Sequence, residues 1–126
     1  MRAEDFHGTW ELVRWRMISA DGTETFPFTD RAVGQFIYGA EGRMAVLLMH
    51  PDWARGEAPN GFIGFGGRFV VEGAVVHHLV DYAHTPGLIG SDQIRTAAFA
   101  GDMVTLESPV SETGVRQRLE WRRVAA

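Results

Sequence analysis

The sequence predicts an all-β chain that folds as a single antiparallel up-and-down β-barrel of about eight strands, with short helical segments. Regularly spaced turn dipeptides separate runs of β-forming residues, and Trp-containing strands stand near both ends of the chain. The first strand begins with Gly8-Thr9-Trp10, and the last contains Trp121, Arg122 and Arg123. A tryptophan can plug one end of a barrel, a glycine lets the chain pass close beneath it, and an arginine can stack on the indole face. A barrel of this kind usually encloses a pocket for a small molecule.

The strands are defined by the turns between them, because Asp-Gly and similar dipeptides are typical of hairpin turns. These dipeptides are Asp21-Gly22, Glu41-Gly42, Glu72-Gly73 and Gly101-Asp102. Hairpin connections favour antiparallel neighbours, and a short extended piece at Thr23–Phe26 is expected to pair at an edge. The main strands are predicted at Gly8–Ser19, Val33–Tyr38, Arg43–Met49, Arg68–Val71, Val75–Tyr82, Asp92–Ala100, Met103–Ser108 and Val115–Arg123.

Helices are expected only as short segments, because no long stretch has helical periodicity. One candidate is Thr29–Ala32, and another lies within Pro51–Phe65. Two longer irregular stretches, His50–Gly67 and Ala83–Ser91, are typical of lids or binding segments. No linker or internal repeat interrupts the pattern, so we expect residues 1–126 to form one domain.

The spacing of the two tryptophans in the first strand predicts a β-bulge. Trp10 and Trp15 are separated by an odd number of positions, so a regular strand would turn them to opposite faces. A β-bulge between them would shift the alternation and bring both indoles inside the barrel.

Composition excludes several classes of protein. The apolar fraction of 45% suffices for a core, and the net charge of -4 disfavours nucleic-acid binding. No cysteine is present, which excludes disulfides and thiolate chemistry. The first residues lack the apolar run of a signal peptide, and no stretch reaches the roughly 20 apolar residues of a membrane helix. We therefore expect a cytoplasmic protein with no membrane or nucleic-acid partner.

The basic residues cluster in the first and last strands. They form either an outward stripe on adjacent strands or, for one or two of them, anchors for an anion or carbonyl inside the barrel. The residues concerned are Arg14, Arg16, Arg116, Arg118, Arg122 and Arg123.

Segments along nearly the whole chain share the pattern of a known family. They are Gly8-Thr9-Trp10-Glu11-Leu12-Val13, Asp21-Gly22, Pro27, Gly34-x-Phe36-Ile37-Tyr38-x-x-x-Gly42-Arg43-Met44, Phe65-Gly66-Gly67-Arg68-Phe69-Val70-Val71, His77-His78, Gly90-Ser91-Asp92-Gln93-Ile94-Arg95 and Leu119-Glu120-Trp121-Arg122-Arg123-Val124. In this order and spacing they resemble the bacterial and fungal lipocalin-like domain family. The resemblance implies a small lipocalin-like barrel, and related barrels include carriers, cyclases, isomerases and lyases. The sequence departs from the family pattern at two places, at Arg14 with Arg16 and at the glycine-heavy Asn60–Phe65. Both are expected to reshape the pocket.

The histidine pair is the clearest polar feature. His77 and His78 point to opposite faces of a strand, so only one enters the barrel and the two cannot share a metal. A metal site would need His50, His84 or a carboxylate from the loops, and no spacing supports one. The family pattern implies that His78 is inside with Tyr82 on the same face. There His78 is either a hydrogen-bonded core residue or a general acid or base.

Two further polar residues have alternative interpretations. Arg95 either forms an ion pair with Asp81 or Asp92, because an unpaired buried charge is costly, or presents its guanidinium to a ligand carboxylate, enolate or phenolate. Tyr38 either packs at the barrel rim or orients a ligand carbonyl through its hydroxyl.

The two irregular stretches are also open to two interpretations each. Pro51 ends the apolar strand before it, and Trp53 then forms either a lid over the barrel mouth or part of a dimer contact. The segment from His84 is either a mobile gate or a turn that docks Leu88 and Ile89 on the core.

Two functions of different classes follow, and neither needs a cofactor or metal. The first is binding of a small apolar or aromatic molecule by a monomer or homodimer. The second, by analogy with the family, is a cofactor-independent cyclase, isomerase or dehydratase that acts on a polyketide-like or terpenoid-like intermediate. In that enzyme His78 would move a proton, Tyr82 would assist and Arg95 would stabilise negative charge. The predicted ligand-binding residues are Trp15, Tyr38, Met44, His50, Trp53, Phe65 and His84.

Overall fold

The chain forms a nine-stranded antiparallel sheet in a computed structural model that describes residues 1–125. The strands are β1 (Gly8–Ile18), β2 (Glu24–Thr25), β3 (Val33–Tyr38), β4 (Arg43–Met49), β5 (Phe62–Glu72), β6 (Val75–Ala83), β7 (Asp92–Ala100), β8 (Met103–Glu107) and β9 (Arg116–Ala125). β1 also pairs with β9, which closes β1 and β3–β9 into an eight-stranded barrel with β2 as an extra strand on β1. The predicted barrel is therefore confirmed.

Two local predictions are corrected by the structure. Phe62–Gly67, expected to be irregular, belongs to β5, because its glycines let the apolar strand β4 pair closely along it. The helix predicted at Thr29–Ala32 is wrong: the segment is a turn, in which Thr29 has a positive φ and its hydroxyl accepts a hydrogen bond from the Arg31 N–H at 3.1 Å. Short 3-10 helices lie at Ala3–Asp5, at Pro86–Leu88 and at Trp53–Arg55, the last within the segment Pro51–Phe65 where a helix was predicted.

One end of the barrel is closed by the segment that precedes β1. Phe6 is fully buried, and its carbonyl accepts a 2.8 Å hydrogen bond from the Trp10 indole. The Arg123 guanidinium lies 4.2 Å from the centre of the Trp10 ring and donates to the carbonyls of His7 and Asp5. The predicted tryptophan plug and its arginine are confirmed, and the guanidinium also ties the first residues to the last strand.

The bulge predicted in β1 is present. The pairing of β1 with β9 shifts register between Leu12 and Arg14. Trp10 and Trp15 are both buried as a result. The strand thus contributes one indole to the plug and another to the opposite half of the barrel interior.

A second bulge decides which side chains of β6 point inward. Gly66 pairs with Tyr82 and Gly67 with Val80, so Asp81 is the extra residue. His78 and Val80 are buried, whereas Tyr82 is 66% exposed. The prediction that Tyr82 shares the inward face of His78 is wrong, because the bulge reverses the alternation between the two residues.

We expect Gly67→Ala to destabilise the fold by about 2–4 kcal/mol, because a Cβ at this position would lie 2.1 Å from the Leu79 carbonyl oxygen, a backbone atom that cannot move aside. The matched control is Gly87→Ala, since a Cβ there meets nothing within 4 Å. Urea unfolding of both variants measures the difference, and equal stabilities would show that the bulge does not require glycine.

Candidate ligand-binding site

The half of the barrel opposite the plug contains a cavity of about 200 Å³. Its apolar lining comes from six of the barrel strands and the 3-10 helix that follows β6. The apolar lining residues are Trp15, Phe36, Val46, Leu48, Ile63, Phe65, Leu88, Leu106, Leu119 and Trp121. The polar lining residues are His78, His84, Gln93, Arg95 and Gln117. No acidic side chain among the described residues lines this space.

His78 and Tyr38 form a buried hydrogen-bonded pair at the inner end of the cavity. The Tyr38 hydroxyl lies 2.5 Å from Nε2 of His78, and Nδ1 of His78 lies 2.8 Å from the Gln93 carbonyl oxygen. Because a carbonyl oxygen only accepts, we assign the proton to Nδ1, and Nε2 then accepts from the tyrosine hydroxyl. Both ring nitrogens are therefore engaged within the protein.

Burial keeps Tyr38 and His78 uncharged. Desolvation lowers the pKa of His78 to about 4, against the opposing effect of the Gln93 hydrogen bond, and the nearby positive charge of Arg95 lowers it further. Desolvation also raises the pKa of the Tyr38 hydroxyl well above its ordinary value. At neutral pH the pair is a fixed neutral hydrogen bond.

Tyr38 lies deeper than a rim position. Its ring stacks on Phe36 with 4.3 Å between centroids and contacts Phe6 and Phe69 in the plug. The interpretation of Tyr38 as a rim residue is wrong, because the bulge-free pairing of β3 with β4 turns its side chain into the core.

Arg95 has no carboxylate partner within residues 1–125. Its one hydrogen bond there is from Nη1 to the Ile94 carbonyl oxygen at 2.7 Å. Asp81 pairs with Arg68 at 3.0 Å, and Asp92 pairs with His77 at 2.7 Å. The ion pair predicted for Arg95 is wrong, because both aspartates bind basic residues outside the barrel. Desolvation lowers the pKa of the guanidinium, which nevertheless stays charged.

The basic cluster of the first and last strands faces outward, except for Arg123, which covers the Trp10 indole. Arg16 forms ion pairs with Glu24 and Glu120, and Arg118 pairs with Glu107. Carboxylates on the neighbouring strands thus pair with part of the cluster, and none of its six arginines lines the cavity within the described chain. The outward interpretation of the cluster is supported, and Arg95 is the cavity arginine.

The other predicted site residues divide between the cavity and its surroundings. Trp15 and Phe65 line the cavity, and Trp15 donates to the Gln117 amide oxygen at 3.0 Å. His84 is at the open end, where its Nδ1 contacts the Gly64 backbone. Leu88, in the segment that follows, lines the cavity as well.

Besides Tyr38, which is buried behind the cavity and does not line it, three of the predicted ligand-binding residues lie away from this space. Met44 is buried in the core, and His50 accepts a hydrogen bond from the Asp52 N–H at 3.0 Å. Trp53 is partly exposed and packs on Phe62 with 5.6 Å between ring centroids. None of the three lines the cavity in the described part of the chain.

Sequence reasoning missed several cavity residues of β9. Gln117, Leu119 and Trp121 point inward, whereas the four charged residues between and beside them point outward. This alternation of charged and uncharged side chains was visible in the sequence and identifies the inner face. Trp121 is buried, and its indole N–H has no acceptor in the part of the chain that the structure describes.

Two features are absent from residues 1–125. No three His, Asp or Glu side chains lie close enough together to hold a metal ion. No helix in this range has the length and apolar character needed to cross a membrane.

Comparison with known proteins agrees with the fold. A family model described as a lipocalin-like domain matches residues 7–60 and 51–124. The crystal structure of an uncharacterized protein from Bacteroides eggerthii DSM 20697 is similar, with a TM-score of 0.54 and 11% identity. The similarity covers 94% of this chain and 99% of that chain. A search of curated proteins found no match.

We expect the buried state of His78 to make the fold acid-sensitive. The folded pKa of about 4 lies below the ordinary value of 6.5, so between these pH values the unfolded chain binds a proton that the folded chain excludes. The free energy of unfolding should fall by about 3 kcal/mol as pH is lowered through this window, and the full contribution should be present above it.

Urea unfolding at pH 7, 5 and 4 tests this for the wild-type protein and for His78→Gln. The other titrating groups are common to both proteins, so the difference in slope isolates His78. A wild-type His78 ring that titrates near pH 6.5 by NMR would contradict the buried neutral pair.

Proposed function

Because this chain belongs to the lipocalin-like domain family, we propose that it binds a small apolar or aromatic molecule inside its barrel. A lipocalin-like barrel supports a ligand-binding domain, and the observation that carries the narrower proposal is the cavity itself. Ten of its fifteen lining residues are apolar, four of them aromatic, and its polar groups are few. Such a lining is typical of small-molecule sites, where apolar walls provide affinity and a few polar groups fix orientation.

The volume limits the size of the ligand. An apolar cavity of roughly 150 Å³ can hold a benzene molecule. A cavity of about 200 Å³ therefore fits one ring with a small substituent. Larger molecules would have to extend through the open end past His84.

The expected affinity is modest. Burial of an aromatic ring removes roughly 150–250 Å² from water, which at about 25 cal/mol per Å² gives about 4–6 kcal/mol. The lost translational and rotational freedom opposes part of this gain. We therefore expect a ring without polar anchoring to bind with a Kd in the millimolar to high micromolar range.

The alternative, acid–base catalysis as a cyclase, isomerase or dehydratase, has less support. A general base needs a nitrogen or oxygen free to take a proton from the substrate, but both nitrogens of His78 are engaged. Tyr82, its proposed assistant, lies outside the barrel. An enzyme of this kind would have to use His84 as its acid or base instead, and the binding function requires no such reassignment.

We expect Val46→Phe to weaken binding of phenylacetamide, a neutral ring-sized probe, by about 10-fold or more. Val46 is buried and lines the cavity, so the larger side chain occupies the space of the ring. Leu47→Phe is the matched control, because Leu47 is next in sequence and faces outward with 48% exposure. Two-dimensional NMR titration at millimolar probe concentrations measures the affinity and shows which residues respond. The proposal fails if the probe binds the wild-type protein nowhere near the cavity, or binds Val46→Phe equally well.

A further inference from the structure

The cavity contains a positive charge that the protein does not neutralise. Arg95 lines an otherwise largely apolar space, and within the described residues its guanidinium makes one hydrogen bond, to a neutral carbonyl. Arg95 is half-buried, and a charge partly removed from water without a partner is costly, so such a group is usually paired or bound to a ligand. Four of its five N–H donors are left for another partner.

The groups that face Arg95 do not provide this partner. The titratable side chains that it influences are His78 and Tyr38, which share a buried hydrogen bond and are both neutral at pH 7. The two aspartates considered as its partners, Asp81 and Asp92, are engaged by Arg68 and His77. The protein therefore leaves the guanidinium available from the cavity side.

Arg95 lies where two spaces meet. Together with Gln93 and Gln117 it lines both the inner cavity and an outer cleft of about 410 Å³ beside the connection between β8 and β9. The outer cleft carries the hydroxyls of Ser108 and Ser111. A charged ligand group at this junction would contact the guanidinium while its apolar part occupied the inner cavity.

Gln117 is oriented to help hold such a group. Its amide oxygen accepts the hydrogen bond from the Trp15 indole. The amide NH₂ is consequently the end of Gln117 left to donate, and donors are what an anion requires. Guanidinium and amide donors that converge beside an apolar wall suit an oxyanion on a ring-sized molecule.

We propose that the natural ligand is a ring-sized organic carboxylate, whose carboxylate binds Arg95 and Gln117 and whose apolar part lies in the inner cavity. This inference rests on the proposed function, because it names the chemical class of the molecule that occupies the same cavity. A carboxylate matches the planar guanidinium with two parallel hydrogen bonds, which a neutral amide or alcohol cannot reproduce.

The test compares phenylacetate with phenylacetamide, which have the same ring and differ in charge. The wild-type protein should bind phenylacetate about 10-fold or more tightly than phenylacetamide at pH 7, measured by the same NMR titration. In Arg95→Met the ratio of the two affinities should fall toward one, and Arg95→Lys should retain part of it. Arg14→Met is the matched control, because Arg14 is an exposed arginine of the outward stripe and its loss should leave the ratio unchanged.

The outcomes separate this inference from the proposed function. If both probes bind in the cavity with equal affinity, the carboxylate site is wrong and the binding function stands. If neither probe perturbs the cavity residues, both proposals are overturned. A preference for phenylacetate that survives in Arg95→Met would place the anion elsewhere and would also overturn the assignment to Arg95.

Thermal unfolding shows whether the Arg95→Met variant is folded. Because Arg95→Met removes an unpaired charge from the barrel, the ligand-free variant should have a Tm equal to or a few degrees above the wild-type value. A marked fall in Tm would show that the guanidinium has a structural partner and would contradict the proposed site.

Discussion

Pairing between β1 and β9 is the constraint on which the rest of the structure depends. It turns an open sheet into a closed barrel, and closure fixes both the interior volume and the set of side chains that must fill it. Aromatic residues fill one half completely, around Phe6 and Trp10, and leave the other half partly empty. The cavity is thus what remains when a barrel of eight strands receives enough large side chains to seal one end only.

The features that the sequence predicted well are those set by local chemistry. Turn dipeptides located the hairpins, the Trp10–Arg123 contact followed from residue type, and the distance between Trp10 and Trp15 required a bulge. The fold class could be predicted because these signals agree with one another along the chain. Phe62–Gly67 could not, because glycines weaken the strand pattern and only the neighbouring strand β4 explains why they are extended.

The site was harder to predict than the fold. The strand β4 is apolar on both faces, so hydrophobicity did not show that Val46 lines the cavity and Leu47 faces outward. The outward position of Tyr82 depended on the bulge in β6. That bulge brings Leu79 of β6 close to Gly67 of β5, so it depends on residues of two strands. The absence of an ion pair at Arg95 depended on which basic residues pair with Asp81 and Asp92. Each of these is a property of tertiary pairing, which a single sequence leaves open.

The pairing of β1 with β9 also governs the order in which the barrel can form. Arg123 binds the carbonyl of His7 across 116 positions of sequence, and Trp15 binds Gln117 across 102. Hairpins from β3 to β9 can form early from local contacts, but the junction of β1 with β9 must overcome the entropy of a loop that spans almost the whole chain. Until then β1 and β9 present unpaired edges, and these are the surfaces through which strands of separate molecules associate. Closure therefore removes the main route to aggregation in the same step that creates the binding cavity.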